Sequence, residues 1–454
     1  MTEKSKPSPK TQKMLSTEPY KGVRDFYPED LFIQNYIFNI WRKTAESFGY
    51  VEYSASILES AELYRAKSGE EIINEQTYTF IDRGDREVTL RPEMTPTVAR
   101  MVAGKRRELA FPLRWYSIPN VFRYERPQRG RLREHWQLNV DLFGVEKNAA
   151  EIELITLAHQ IMKNFGAQES DFEIRISSRK LLNAIFNDWY ELTETQSHAL
   201  QKLIDRKNKM DADTFSEEAE KIVGKAFSFL DFGAKDGNHS AEAEQAIAFP
   251  DIRAAKEELD EVMTALQNNG IKNVVLDQEL IRGFDYYTGI VFEVFDKNPE
   301  NNRSLFGGGR YDELLSLFGH EKVAAVGFGM GDVTIANFLE TRNLLPIYKS
   351  PVKVAIISTG ISAENLDQAD AYIQKVSTAL RHSNISTVSF LNDKKNIGDQ
   401  IKTADRQHIP YVIIIGPDEI AGEILTIKKL STGEEKKTPL SSLAEIILYL
   451  LPEK

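Results

Sequence analysis

Apolar residues recur with two different periods along the chain, and each period predicts a different kind of element. From Asp30 to Phe48 the apolar positions follow helical spacing, which predicts one long amphipathic helix. Shorter runs with alternating apolar residues and turn-rich flanks predict strands at 172–176, 274–276 and 290–295. The length and spacing of these runs favour a mostly antiparallel sheet.

Changes in the character of the sequence predict the domain organisation. Residues 1–17 are rich in Lys, Ser, Pro and Thr, which is typical of a disordered leader. From about 192 to 269 the sequence is charged, Ala-rich and helix-forming, so we predict a helical insertion between two strands of the sheet. After 347–353 strands alternate with helices, which predicts a small α/β domain with a parallel sheet. The predicted folded domains span 18–345 and 352–454.

Composition excludes several classes of protein. A chain of 454 residues is too long for one hydrophobic core, in agreement with two or three domains. No apolar run approaches the roughly 18 residues of a membrane helix, and the first residues hold no apolar signal core, so we predict a soluble cytoplasmic protein. The chain lacks cysteine, and its 7 histidines lack the spacing of metal ligands. No metal-ligating residue is therefore predicted.

Positive charge is concentrated in one stretch of an otherwise acidic chain. The formal net charge is −11, yet residues 100–134 contain ten Arg or Lys against three acids. Five arginines fall between Phe122 and Trp136. One guanidinium group can donate two parallel hydrogen bonds to two oxygens of a phosphate, so this cluster of arginines indicates a phosphate-bearing partner. The alternative is a loop whose arginines face water.

The segment after the arginines predicts a polar ligand beside them. If residues 137–143 form a strand, alternation places Gln137, Asn139 and Asp141 on one face. Burying an amide and a carboxylate is costly unless a polar group pairs with them, and a small polar ligand would do so. The alternative is a strand side that faces solvent.

Two further segments contain charged residues next to predicted strands. The first is VTLRPEMTP, residues 88–96, in which we expect Glu93 and Thr95 to face a pocket and hold an ammonium group. The alternative is that this segment is only a strand end followed by a turn. In IRGFDYYTG, Arg282 contacts a phosphate, where its fixed charge stabilises a transition state. The alternative for Arg282 is a structural ion pair with Asp285.

Two glycine-rich segments, residues 305–315 and 324–334, lead into predicted helices and permit close backbone approach to a ligand. Neither contains GxxxxGK[ST], and neither has the GxGxxG spacing of a dinucleotide-binding turn. The sequence therefore excludes P-loop and Rossmann sites.

Taken together and in this order, these segments resemble the histidyl-tRNA synthetases, a family of class II aminoacyl-tRNA synthetases. The resemblance runs from Lys21 to the C-terminus. RGFDYY and GGRYD resemble two signature peptides of the family, FRYE with the arginine loop resembles the second class II motif, and the segment from Val354 resembles the anticodon-binding domain. The implied fold is α+β: a class II synthetase antiparallel sheet with flanking helices and a helical insertion, plus a C-terminal α/β anticodon-binding domain.

The resemblance implies a reaction and its partners. A family member activates L-histidine with ATP, brought in with Mg2+, to histidyl-adenylate and pyrophosphate, and then transfers histidine to the 3'-terminal adenosine of tRNA(His). It acts as a homodimer in the cytoplasm, with no membrane partner and no tightly bound cofactor. Two alternatives remain: a non-catalytic paralogue such as the regulatory subunit of ATP phosphoribosyltransferase, and an RNA-binding regulator without activity. Such regulatory subunits usually lack the C-terminal domain.

The resemblance also implies a role for each site residue. The catalytic arginines are Arg123, which grips the α-phosphate, and Arg282, which stabilises that phosphate during attack by the histidine carboxylate. The ATP-binding residues are Arg123, Glu125, Arg131 and His135, the last of which stacks on adenine. The residues that hold the amino group of histidine are Glu93, Thr95 and Gln137. The residues that form the imidazole pocket are Asp141, Tyr286, Tyr287 and Tyr311.

The chain departs from the family pattern at four positions. Thr334 stands where the third motif usually has an arginine that contacts the far phosphates of ATP. His135 replaces the usual phenylalanine, Ser56 the usual proline of the first motif, and Asp399 a common lysine of the anticodon-binding domain. These changes affect the expected ATP contacts, the dimer geometry and one anticodon-side contact.

Overall fold

The chain folds into two compact units, residues 1–346 and 347–454. The computed structural model describes residues 15–65, 76–207, 210–232, 240–280, 286–301, 303–319, 321–390 and 396–450. Most of the predicted leader, residues 1–14, lies outside the described residues. Within the described part, no helix is long and apolar enough to cross a membrane.

The main sheet of the first unit is mostly antiparallel, as the strand pattern predicts. Its path is β1-β5-β7-β12-β11-β10-β8-β9, with β6 paired to β7; a smaller antiparallel sheet has the order β2-β4-β3. Only the β1–β5 and β8–β9 pairs of these described strands are parallel. The strands are β1 (Val51–Glu52), β2 (Leu58–Ser60), β3 (Tyr78–Ile81), β4 (Glu87–Leu90), β5 (Leu113–Ser117), β6 (Asn120–Phe122), β7 (Glu134–Phe143), β8 (Phe172–Ser178), β9 (Val274–Leu276), β10 (Ile290–Asp296), β11 (Ser304–Arg310) and β12 (Ala325–Gly331).

The helices of the unit are α1 (Pro28–Ser47), α2 (Ala61–Arg65), α3 (Thr95–Gly104), α4 (Ala149–Asn164), α5 (Arg179–Ala184) with a π-helix directly after it (Ile185–Trp189), α6 (Glu194–Asp205), α7 (Ala212–Val223), α8 (Ala241–Ala246), α9 (Pro250–Asn268) and α10 (Asp332–Thr341). Helices α1, α4, α9 and α10 pack in the same core cluster as the apolar face of the main sheet, whereas α3 packs in a separate cluster with Tyr286 and Tyr311. Two 3-10 helices are Pro299–Asn301 and Leu314–Phe318.

The predicted long helix at 30–48 is confirmed as α1. Pro28 occupies its first turn together with Glu29 and Asp30, where the fixed proline φ and the acidic charges favour a helix start. Trp41 of α1 is fully buried in the same core cluster as Leu138 and Val140 of β7. Burial of each such side chain contributes roughly 1.5–3 kcal/mol. The apolar face of β7 is thereby fixed toward the helices, and its polar face is fixed toward the opposite side.

The described residues between 192 and 269 form helices α6 to α9 and no strand. Three of these helices begin at a side-chain cap: Thr193 accepts from Gln196, Asp211 from Thr214 and Ser240 from Ala243. A cap of this type contributes on the order of 1 kcal/mol, so local sequence sets where these helices start.

The second unit contains a five-stranded sheet of order β14-β13-β15-β16-β17. The prediction of a parallel sheet is right for β14, β13 and β15 but wrong for β16 and β17, which are antiparallel. A short turn containing Gly433, with φ of 72°, joins the last two strands, and a connection this short permits only antiparallel pairing. The elements are β13 (Val354–Ser358), α11 (Leu366–His382), β14 (Thr387–Ser389), α12 (Ile397–Arg406), β15 (Tyr411–Ile415), α13 (Pro417–Gly422), β16 (Ile424–Lys429), β17 (Glu435–Pro439) and α14 (Leu443–Leu450).

Candidate active site

A pocket of about 100 Å³ lies on the polar face of the main sheet. This volume is below the roughly 300–1,000 Å³ of a whole small-molecule site, so the pocket suits one end of a ligand. The predicted site residues that line it are Glu93, Thr95, Arg123, Gln137, Tyr286, Tyr287 and Tyr311. These residues come from five separate parts of the chain, and the fold brings their side chains to one place.

Glycines on β11 and β12 make room for this pocket. A Cβ at Gly327 would overlap the Asp141 carboxylate, and a Cβ at Gly329 would overlap the Gln137 amide. Both glycines therefore allow polar side chains of β7 to lie across the neighbouring strand. The prediction that both glycine-rich segments lead into helices is right for β12, which α10 follows, whereas β11 is followed by a turn and a 3-10 helix. The structural role of Gly327 and Gly329 is therefore to make room between neighbouring strands, and not to begin a helix.

Asp141 lies next to the pocket with one carboxylate oxygen unpaired. The Tyr311 hydroxyl donates to Oδ1, while Oδ2 is buried and has no hydrogen-bond partner among the described residues. Burial raises the pKa of Asp141 to about 7, and the bond from Tyr311 partly opposes that rise. A buried oxygen with this high proton affinity favours a ligand that donates an N–H.

Glu93 presents a second buried carboxylate. Its side chain is 2% exposed and accepts a hydrogen bond from the Tyr286 hydroxyl at 3.1 Å. Its backbone carbonyl accepts from the Tyr64 hydroxyl at 3.4 Å. Thr95 begins α3 two residues after Glu93, so the loop and the helix start hold both side chains at the same wall. An anion at this wall favours an ammonium group.

Gln137 and Asn139 complete the polar face of β7, as strand alternation predicts. Gln137 Oε1 is buried and lacks a hydrogen-bond partner in the described part of the chain. Asn139 also lines the pocket, and its amide nitrogen donates to the Gln137 carbonyl at 3.2 Å. Asn139 was predicted to share this face but was not among the predicted site residues. Its alternation with Gln137 and Asp141 is the feature that identifies it.

The guanidinium of Arg123 is held by a hydrogen bond from its Nε, while its terminal nitrogens remain available. Its Nε donates to the Pro92 carbonyl at 2.9 Å, and no hydrogen bond from its terminal nitrogens to a described residue is found. The guanidinium is therefore held at the pocket while its two terminal NH₂ groups stay available for an anion. Glu125 and Arg131 do not line the pocket; they face each other on the arginine loop at 3.4 Å, and the Arg131 side chain is 60% exposed.

Arg133 is a residue of this region that sequence analysis did not assign a role. Its backbone N–H donates to the Gly22 carbonyl at 2.8 Å, and its guanidinium lies 4.0 Å from the Tyr124 ring centroid and 5.6 Å from that of Tyr20. These contacts attach the segment before α1 to the base of the arginine loop. The contacts with Gly22 and Tyr20 join residues more than 100 positions apart, and no local pattern reveals such a contact.

His135 and Thr334 lie beside the arginine loop. Burial, together with the charges of Arg123 and Arg24, lowers the pKa of His135 to about 3, so its ring is neutral at physiological pH. The Thr334 hydroxyl donates to the Leu305 carbonyl at 2.8 Å and to the Gly331 carbonyl at 3.1 Å. Thr334 therefore ties α10 to β11 and supplies no cation.

The predicted catalytic residue Arg282 and its neighbour Asp285 lie outside the described residues. Within the described part, no group of three or more His, Cys, Asp or Glu side chains is placed to hold a metal ion. The chemistry that the described geometry supports is the binding of an ammonium group, an N–H donor and an anion within one small pocket.

Comparisons with known proteins agree on one family. A family model described as histidyl-tRNA synthetase matches residues 22–332, and a model described as anticodon binding domain matches residues 353–450. The chain is 43% identical over 431 residues to a histidine–tRNA ligase of Leptospira biflexa serovar Patoc, covering 93% of this chain and 95% of that protein.

Solved structures share the fold over nearly the whole chain. The histidyl-tRNA synthetase of Nostoc sp. PCC 7120 superimposes with a TM-score of 0.73 at 25% identity, covering 96% of this chain and 100% of that chain. An ATP phosphoribosyltransferase regulatory subunit/histidyl-tRNA synthetase from Bacillus halodurans C gives a TM-score of 0.68 at 24% identity, covering 89% of this chain and 100% of that chain, and shows a common fold alone.

Proposed function

The chain belongs to the histidyl-tRNA synthetase family, and from this membership we propose how its pocket carries out the reaction of a histidine–tRNA ligase. The carboxylate of L-histidine attacks the α-phosphorus of ATP, forming a P–O bond as the bond to pyrophosphate breaks. The 3'-terminal ribose hydroxyl of tRNA(His) then attacks the histidyl carbonyl carbon, loses its proton, and displaces AMP. The observation that carries this proposal is that Glu93 and Arg123 line one pocket, together with Tyr311, which donates to the adjacent Asp141.

The pocket matches histidine group by group. Glu93, Thr95 and Gln137 hold the amino group, since a buried carboxylate and the unpaired Gln137 Oε1 are acceptors for an ammonium. Asp141 Oδ2 accepts the N–H of one imidazole nitrogen, and Tyr287 bonds the other; Tyr286 and Tyr311 line the ring. Recognition by paired hydrogen bonds rejects analogues that lack either nitrogen, because the polar groups of the site would then stay unpaired.

The nucleotide is held on the arginine-loop side of the pocket. Arg123 contacts the α-phosphate through its terminal nitrogens, since its Nε is occupied by Pro92. Glu125 and Arg131 seat the nucleotide, and the neutral ring of His135 stacks on adenine without adding charge. Arg282 stabilises the same phosphate during attack; this assignment rests on the family resemblance. Mg2+ enters as the partner of the ATP phosphates.

We also propose a homodimer built around the β1 edge of the main sheet. The described residues carry exposed apolar side chains at this edge and on the adjoining small sheet: Val51 is 64%, Leu58 45%, Phe80 48% and Ile81 62% exposed. A two-fold interface places the same patch of both subunits in contact and would bury these side chains. Sedimentation analysis of the protein and of Ile81→Glu tests this, with dissociation expected for the variant. Family membership supports the cytoplasm as the location.

The non-catalytic alternative is less supported. The relative from Leptospira biflexa is a histidine–tRNA ligase that matches 93% of this chain, and the C-terminal residues match an anticodon-binding model. Thr334 is the one observation that favours the alternative, since it supplies no cation where the family usually has arginine.

Histidine-dependent exchange between pyrophosphate and ATP tests the proposed function. We expect exchange with histidine and none with other amino acids, followed by histidine transfer to tRNA. Arg123→Ala should reduce the rate at least tenfold, whereas Arg126→Ala, an exposed arginine of the same loop, should leave it within about twofold. A folded protein that binds histidine without exchange would identify the paralogue instead.

A further inference from the structure

Tyr53 follows β1 directly and lies on the same face of the main sheet as the pocket. Val51 of β1 pairs with Trp115 of β5, and Trp115 pairs with Asp141 of β7, so these residues form one row across the sheet. Since side chains alternate along a strand, Tyr53, two positions after Val51, projects from the same face. Its N–H donates to the Tyr116 carbonyl at 2.8 Å, which continues the pairing of β1 with β5 to this position. The register therefore places the Tyr53 side chain beside the polar face of β7.

Ser117 lies between Tyr53 and that polar face. It pairs with Asn139, which lines the pocket, and it is 2% exposed. The hydroxyls of both Tyr53 and Ser117 are buried and lack a hydrogen-bond partner among the described residues. Burial of a hydroxyl without a partner is costly, so two such groups beside a binding pocket indicate a hydrogen bond that forms in the complex.

The Tyr53 hydroxyl keeps its proton and is therefore a donor. Burial and, next in size, the negative charge of Asp141 raise the pKa of Tyr53 well above its usual value, and the nearby Ser117 hydroxyl partly opposes this rise. Tyr53 also contributes to the raised pKa of Tyr311, which donates to Asp141 Oδ1. The two tyrosines thus approach the same carboxylate, and Oδ2 is the oxygen that Tyr311 leaves unpaired.

The Tyr53 side chain has room to adjust its position. A cavity of about 440 Å³ borders it and is also lined by Ser117 and Trp136. Its ring lies against Trp115, with the ring centroids 5.6 Å apart and an interplanar angle of 35°. Hydrogen bonds within a site are often long in the unliganded protein and tighten when the ligand binds. A small shift of the hydroxyl toward Asp141 preserves both the contact with Trp115 and the strand pairing.

We infer that Tyr53 is a positioning residue for histidine, whose hydroxyl donates to Asp141 Oδ2 in the complex and holds this oxygen toward the imidazole. The inference rests on the proposed function, in which Oδ2 accepts the N–H of one imidazole nitrogen. A carboxylate oxygen has two lone pairs, so Oδ2 accepts from Tyr53 and from histidine together. With Tyr311 on Oδ1 and Tyr53 on Oδ2, the carboxylate loses the freedom to rotate away from the ligand.

Tyr53→Phe tests the inference, because it removes the hydroxyl and keeps the ring beside Trp115. The assay is histidine-dependent pyrophosphate exchange. We expect KM for histidine to rise about threefold to tenfold, as the loss of one hydrogen bond predicts, while kcat and KM for ATP stay within about twofold. Tyr190→Phe is the matched control, since it removes another buried hydroxyl, which donates to the Ser228 carbonyl at 2.7 Å. The control should leave KM for histidine unchanged.

A double-mutant cycle with Asp141→Asn separates positioning from a general effect on the fold. In the Asp141→Asn background, Tyr53→Phe should change kcat/KM for histidine by less than about twofold, because Tyr53 acts through that carboxylate. Equal losses in both backgrounds would overturn the inference. An unchanged KM for histidine in Tyr53→Phe alone would overturn it as well.

Calorimetric titration with histidine keeps this test separate from the proposed function. Absence of exchange in the unmodified protein would count against the proposed function. Weaker histidine binding by Tyr53→Phe than by Tyr190→Phe would still support the role of Tyr53 in that case, whereas equal binding by the two variants would refute it.

Discussion

Replacement of Asp141 by asparagine tests how the pocket recognises histidine. In the structure Tyr311 donates to Oδ1, and Oδ2 has no partner among the described residues. Asp141→Asn preserves the shape of the side chain and an acceptor for Tyr311, but it replaces Oδ2 with an NH₂ group. The imidazole N–H of histidine would then face a donor instead of an acceptor.

The size of the effect follows from the lost hydrogen bond. A hydrogen bond to a charged group contributes about 1.5–3 kcal/mol, which corresponds to roughly 10- to 150-fold in affinity. We therefore expect KM for histidine to rise by a factor in this range. KM for ATP should stay within about threefold, since Asp141 belongs to β7 and contacts Tyr311 rather than the arginine loop.

The assay is pyrophosphate exchange with histidine varied at saturating ATP, and then with ATP varied at saturating histidine. Asp251→Asn, at an exposed position in the first turn of α9, provides a control for loss of one carboxylate. A KM for histidine within threefold of that of the unmodified protein would refute the assigned role of Asp141. A parallel rise in both KM values would also refute it, because that outcome indicates general damage to the site.

Three further predictions concern stability and packing. Folding raises the pKa of Asp141 from 3.8 to about 7, so ionisation of this carboxyl lowers the free energy of unfolding of the unliganded protein as pH increases. Asp141→Asn should therefore raise the free energy of unfolding at pH 8 by at most about 4 kcal/mol, measured as a higher melting temperature, and this gain should disappear toward pH 4. Gly327→Ala should abolish histidine binding measured by calorimetry, whereas Gly104→Ala, with open space around its Cβ, should leave binding unchanged. Glu151→Ala leaves the buried Arg310 with only the partly exposed Asp312, at 3.1 Å, as an anionic partner, and should cost up to about 3–5 kcal/mol in urea unfolding, against about 0–1 kcal/mol for Lys322→Ala in an exposed pair.

The parts of the fold that sequence predicted are those set by local pattern. Helical spacing at 30–48 identified α1 because one apolar stripe must face the sheet. Strand alternation placed Gln137, Asn139 and Asp141 on one face, and the structure confirms that arrangement in β7. Both features depend on residues within one element, where spacing alone decides which side chains are neighbours.

Contacts between distant segments could not be predicted from such patterns. The Tyr311–Asp141 hydrogen bond joins residues 170 positions apart, and its existence depends on β12 lying between β7 and β11. Arg133 contacts the segment before α1 for the same reason. The antiparallel pairing of β16 and β17 was missed because alternation of strands and helices describes β13 to β15 but not a terminal hairpin.

The unpaired polar atoms of the pocket connect its structure to its selectivity. Asp141 Oδ2 and Gln137 Oε1 are both buried without partners among the described residues, and each such atom costs about 1–3 kcal/mol. A ligand that donates to both removes these costs, whereas an amino acid of similar size without a ring N–H leaves Oδ2 unpaired in the complex. The glycines of β12 hold these side chains close to the neighbouring strand, so the pocket has little freedom to rearrange around a poorer ligand. Under the proposed roles of Asp141 and Gln137, selection for histidine would arise as much from the cost of the wrong complex as from the hydrogen bonds of the correct one.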